Sequence, residues 1–151
     1  MTDISFCEGR LTIMKAKVYY VSPKGSTEKV ANIIANECHI VKEPLMPAYM
    51  PEGVTLMFLG CEGKKMEKVI TEFVGSITKE RVVNAALFCA NPASSDAAIQ
   101  QMRQALTAKG VKVMDKSFIC RGKGAFGKHP SDVDLEAARA FAAECVKAIF
   151  G

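Results

Sequence analysis

The sequence predicts an α/β protein built on a mainly parallel sheet, and three observations carry that prediction. Short apolar runs alternate with longer stretches of helical period, which is how successive βαβ units read. The third run, Val54 to Gly60 (VTLMFLG), is apolar nearly throughout, as a strand covered on both faces has to be. Between the first strand and the first helix, Ser22-Pro23-Lys24-Gly25-Ser26-Thr27 has the make-up of a turn that holds a phosphate.

In chain order, Lys17 to Val21 is the first strand, and Ser26 to Glu37 is a helix with Val30, Ile33 and Ile34 on one face. His39 to Lys42 reads as a short second strand. The next segment, Glu43 to Gly53, contains Pro44, Pro47 and Pro51, so an irregular connection is expected in place of a regular helix. Val54 to Gly60 follows as a central strand. Met66, Val69, Ile70, Phe73, Val74 and Ile77 then fall at i, i+3, i+4, i+7, i+8 and i+11, which makes one apolar helical stripe suited to core packing. Val82 to Ala90 is the fourth strand. Ser95 to Lys109 is a helix with Ile99, Met102 and Leu106 inward and Gly110 just past its end. Val111 to Cys120 is the fifth strand. After the glycine-rich Gly122 to Gly127, Ser131 is an N-cap, Asp132 and Asp134 suit a helix N-terminus, and Leu135, Ala138, Ala142, Cys145, Val146 and Ile149 form the inner stripe of the last helix.

The chain has 151 residues, of which 49% are hydrophobic and 24% charged, enough for one compact domain with a core. Residues 1–15 read as an N-terminal extension or upstream start, and 16–151 as the domain. Met1 to Met14 lacks the basic and apolar regions of a signal peptide, and no apolar stretch approaches the roughly 20 residues of a membrane span, so a cytoplasmic protein without membrane association is expected. The net charge of +4 is a mild basic excess, and no basic run is interleaved with aromatics, so nucleic acid is not an expected partner. The six cysteines are widely spaced with no CxxC, which reads as buried free thiols and not as a disulfide framework or metal site.

The turn at Ser22 to Thr27 combines Gly25, three hydroxyls (Ser22, Ser26, Thr27) and the unpaired backbone N–H groups of a helix start. Aligned peptide dipoles favour an anion there, and Lys24 adds charge at the rim. A helix start capped only by its own Ser26 or Thr27 explains the same residues without a ligand. Neither the GxxxxGK[ST] nor the GxGxxG spacing is present.

The segment VYYVSPKGSTEKVANIIA closely resembles the start of flavodoxins, whose phosphate loop reads approximately (Ser/Thr)-x-Thr-Gly-x-Thr. Ser22, Gly25 and Thr27 match it, whereas Lys24 stands where Thr is usual. The resemblance runs over roughly residues 16 to 151 as element order, and Gly127 to Leu135 is similar to the C-terminal part of small flavodoxin-like proteins. It implies a three-layer, doubly wound sheet of five parallel strands in the order 2-1-3-4-5, with FMN at the strands' carboxyl ends. On that basis Ser22, Pro23, Lys24, Gly25, Ser26 and Thr27 would hold the phosphate, and backbone groups of Cys61, Glu62, Gly63, Asn91, Pro92 and Ala93 would meet the ring. The loops after strands three and four depart from the family in having no Trp, Tyr or Phe, which weakens ring binding by about 1 kcal/mol for each stacking partner that is missing.

These readings imply an FMN-binding electron-transfer or accessory redox protein, an electron carrier more than a stand-alone enzyme, with no catalytic side chain and a redox partner that presents an acidic face. The alternatives are a module of the same fold without a tightly bound flavin and a small FMN-dependent reductase. The sequence carries no signal for oligomeric state. Lys64, Lys65, Lys123 and Lys128 fall on loops expected at one end of the sheet as a basic rim. Cys61, Cys89 and Cys120 fall near the ends of neighbouring strands, where core filling is their simplest role. His129 has no acid or nucleophile at a spacing that suggests catalysis, and Lys15 to Val21 lacks the acidic residues of a phosphoacceptor site.

Overall fold

The computed structural model describes residues 15–45, 50–122 and 129–151. Their elements are β1 (Ala16–Tyr20), α1 (Ser26–Cys38), β2 (Lys42–Pro44), β3 (Val54–Cys61), α2 (Lys68–Ser76), β4 (Val82–Asn91), α3 (Ala97–Ala108), β5 (Lys112–Val113), β6 (Phe118–Arg121) and α4 (Asp132–Phe150). All strand pairs are parallel, in the order β2-β1-β3-β4, and β5 and β6 both lie against the outer edge of β4.

Side-chain alternation along the strands builds two apolar layers. Val18, Tyr20, Leu56, Phe58, Ala86 and Phe88 face α1 and α4. Tyr19, Met57, Leu59, Ala85 and Leu87 face α2 and α3. Both faces of β3 and β4 are thereby buried, which is why their sequences read as continuous apolar runs.

The doubly wound 2-1-3-4-5 arrangement expected from the sequence is present, with its fifth position in two pieces. Lys112 and Val113 pair with Asn84 and Ala85, and Phe118 to Arg121 pair with Phe88 to Asn91. Between them the Met114 N–H still donates to the Ala85 carbonyl, and the Arg103 guanidinium of α3 takes up the carbonyls of Met114 (2.9 Å) and Asp115 (3.3 Å). The second strand lies later than predicted. Helix α1 continues to Cys38, His39 takes a left-handed conformation (φ 55°) as its C-cap, and the Ile40 N–H returns to the Ala35 carbonyl, so pairing begins only at Lys42.

Helix α2 is shorter than its apolar stripe, with Met66 and Ile77 just outside it and Ile77 still fully buried. Ser131 caps α4 as expected and forms a reciprocal box with Asp134: its hydroxyl accepts from the Asp134 N–H, and the Asp134 carboxylate accepts from the Ser131 N–H. Phe141 joins the inner face of α4 against Phe58 and Phe118. No helix among the described residues is long and apolar enough to cross a membrane.

Candidate functional site

Parallel pairing brings the carboxyl ends of β1, β3 and β4 side by side, so the loops that follow them converge at one edge of the sheet. The first of these loops forms a nest of donors. Gly25 is the N-cap of α1 at φ 86°, a left-handed conformation that lets the chain turn and aim successive N–H groups inward. The Ser22 hydroxyl accepts from the Glu28 N–H at 2.9 Å, which leaves the Ser22 O–H and the N–H groups of Lys24 and Thr27 pointing into the nest.

An anion of the chain's own sits there. The Glu62 carboxylate, from the loop after β3, accepts from Ser22 Oγ (2.6 Å) and Thr27 N (3.0 Å) on Oε1, and from Lys24 N (2.6 Å) on Oε2. Glu62 is only 7% exposed. Its charge lies at the N-terminus of α1, where the helix dipole favours it, and together with Ser22 it caps a helix whose own N-cap residue, Gly25, has no side chain to do so. Thr27, fully buried, works in the opposite direction: its hydroxyl donates to the Cys61 carbonyl (2.7 Å) and accepts from the Ala90 N–H (3.3 Å), pinning α1 to the ends of β3 and β4.

In the two other loops, side chains of the chain itself hold the backbone N–H groups. Glu67, the residue before α2, accepts from the N–H groups of Glu62 (3.1 Å) and Gly63 (2.9 Å) through one carboxylate oxygen. Its other oxygen is buried with no partner among the described residues. Asn91, fully buried, accepts from the N–H groups of Ala93 (3.1 Å) and Ser95 (2.9 Å) and donates to the Ser95 carbonyl and to Cys89 Sγ. A cavity of about 390 Å³ opens over these loops, and the described residues that line it, among them Lys24, Glu62, Lys64, Glu67 and Asn91, include no aromatic.

The sequence-predicted residues are therefore brought together, in roles that partly differ from those expected. Ser22, Lys24, Gly25 and Thr27 build an anion nest; Pro23 and Ser26 line the cavity beside it. Glu62, expected to present its backbone to a ring, instead sends its side chain across to the nest. The N–H groups of Glu62, Gly63 and Ala93 are engaged by Glu67 and Asn91, while Pro92, which has no N–H, lines the cavity. Cys61 gives its carbonyl to Thr27. Lys24, Lys64 and Lys65 are exposed at this end of the sheet; Lys123 and Lys128 lie outside the described residues. Sequence reasoning missed Glu67. The available signal was an acid directly before a helix, five residues from an acid in a tight loop.

The three cysteines near the strand ends divide between the faces. Cys61 and Cys89 are register partners on the α2 and α3 side, whereas Cys120 pairs beside Ala90 on the α1 and α4 side. A hydrogen bond from Cys61 to Cys89, followed by burial, pushes the Cys61 thiol up, and the same bond holds Cys89 below its ordinary value with help from Asn91. Both are fully buried, so the pair belongs to the core.

No family model and no curated protein sequence matches the chain. Solved structures do match. A flavodoxin from the domain Archaea superposes with a TM-score of 0.69 at 20% identity, covering 91% of this chain and all of that one. The oxidised flavodoxin 1 from Bacillus cereus gives 0.67 at 20% identity, over 87% and 97% of the two chains. A flavodoxin, WrbA-like protein from Agrobacterium tumefaciens gives 0.66 at 15% identity, over 89% and 96%. The chain has the flavodoxin-like fold.

Proposed function

With the flavodoxin-like fold as premise, we propose that this chain is an accessory module of a redox system that works without a tightly bound flavin. The observation that carries this reading is the Glu62 carboxylate on the Ser22, Lys24 and Thr27 donors. FMN needs those donors for its phosphate, and a phosphate beside a buried carboxylate would set like charges about 3 Å apart. The ring fares no better as a resident group, since the N–H groups at positions 62, 63 and 93 are paired within the chain and none of the described residues that line the cavity is aromatic. These residues do not fit a flavin while Glu62 is in place.

The partner in this reading is a redox protein whose acidic face meets the rim of Lys24, Lys64 and Lys65, with the net charge of +4 aiding encounter. The nest itself favours one rival, an FMN-binding electron carrier in which the phosphate takes the place of Glu62. The absorption spectrum of the purified protein and an FMN titration followed by flavin fluorescence separate the two. Colourless protein with no saturable binding up to about 50 μM FMN is expected. Yellow protein, or binding that saturates at a few μM, favours the carrier instead.

A further inference from the structure

Glu62 is not a surface acid that happens to lie near a helix. Its two carboxylate oxygens bridge both sides of the turn, Oε1 to Ser22 and Thr27 and Oε2 to Lys24, as two oxygens of a phosphate would. Its backbone is fixed from behind, because Glu67 holds the N–H groups of Glu62 and Gly63 together. The side chain is withdrawn almost completely from water, which a carboxylate tolerates only where fixed donors replace its hydration. The seat is thus built from two directions, by the nest in front and by Glu67 behind.

We propose that Glu62 is a resident intramolecular ligand standing in the place of a phosphate, that it excludes dianionic phosphate groups from the nest, and that removing its charge turns the loop into a phosphate site. The proposal deepens the flavin-free reading and rests on the same nest, but it concerns what closes the nest to any phosphate, free or esterified. A merely structural cap would be missed equally in all buffers. A stand-in for phosphate is replaced by phosphate.

The test is the thermal midpoint of the wild type, Glu62→Ala and Glu62→Gln in inorganic phosphate against chloride of equal ionic strength. Glu62→Gln keeps the volume of the side chain in case the alanine variant folds poorly. For a site with a Kd of about 1 mM, about 20 mM phosphate raises the midpoint of the variants by roughly 5 °C, while the wild type stays flat. Adding Ser22→Ala to Glu62→Ala removes most of that rise. Variants that ignore phosphate overturn the proposal, and so does a wild type that gains as much as they do. The Lys24 and Thr27 amide resonances of the wild type give an independent reading: they stay unmoved by phosphate, and a saturable shift contradicts exclusion. Parallel FMN titrations separate the two readings. Saturable FMN binding by a wild type that remains blind to inorganic phosphate defeats the flavin-free reading alone, and phosphate-blind variants with no FMN binding by the wild type defeat this proposal alone.

Discussion

Gly60 and Phe88 are register partners on β3 and β4, and the Phe88 ring lies so close over Gly60 that a β-carbon there would come within 2.4 Å of its Cε2 and Cζ. The same β-carbon would meet the Thr27 methyl at 2.9 Å. Both neighbours are fully buried, so neither can retreat into solvent. Gly60→Ala is expected to lower stability by about 2 to 3 kcal/mol through overpacking, read as a lower urea midpoint at unchanged m-value. An unchanged midpoint would show that the ring has room to move.

Thr27 links the candidate site to the sheet. Valine has nearly the shape of threonine but lacks the hydroxyl, so Thr27→Val leaves the Cys61 carbonyl and the Ala90 N–H without this partner in a buried place. A loss of about 2 kcal/mol is expected in chemical denaturation. Thr27→Ser keeps the hydroxyl and is expected to lose less, about 1 kcal/mol for the missing methyl. If serine proves as damaging as valine, the methyl packing holds α1 in place as much as the hydrogen bonds do.

Asn91 holds the loop after β4 by accepting from two N–H groups and donating to Ser95. Asn91→Ala removes all of these bonds while leaving the strand's backbone pairing with β6 intact. Faster amide exchange at Ala93 and Ser95, with little change at the slowest-exchanging amides of the sheet, is the expected result. Uniformly faster exchange would mean that Asn91 supports the sheet and not only its loop.

The sheet was legible because β3 and β4 are apolar on both faces and because the apolar positions of α1, α3 and α4 repeat at helical spacing. The break between β5 and β6 was not legible, since the carbonyls there are met by Arg103 of α3, eleven and twelve residues earlier, a contact that no local pattern shows. The nest could be read at Ser22 to Thr27, where glycine, hydroxyls and a helix start are contiguous. Its occupant could not, because Glu62 lies 35 positions from Thr27 and meets it only through the pairing of β1 with β3. A local pattern says that an anion is wanted there; only the tertiary fold says which anion is supplied.

Alkaline pH supplies a test of the core. Cys38, Cys120 and Cys145 are each pushed up to about 12, in every case chiefly by burial, from an ordinary value near 9. Tyr20 is likewise raised to about 12 by burial and by the hydrogen bond it donates to Glu28. Above pH 9 the unfolded chain releases these protons while the folded chain keeps them, so the unfolded state binds fewer protons and stability falls as pH rises. The ideal slope is about 1.4 kcal/mol per pH unit for each thiol. Solvent relaxation around partly screened groups reduces it, so a combined fall of roughly 2 kcal/mol per pH unit is expected between pH 9.5 and 11, read from urea midpoints. Cys145→Ala removes one thiol's share and is expected to flatten the curve, whatever it does to the midpoint at pH 7. A slope that Cys145→Ala leaves untouched would show that this thiol contributes nothing to the alkaline loss.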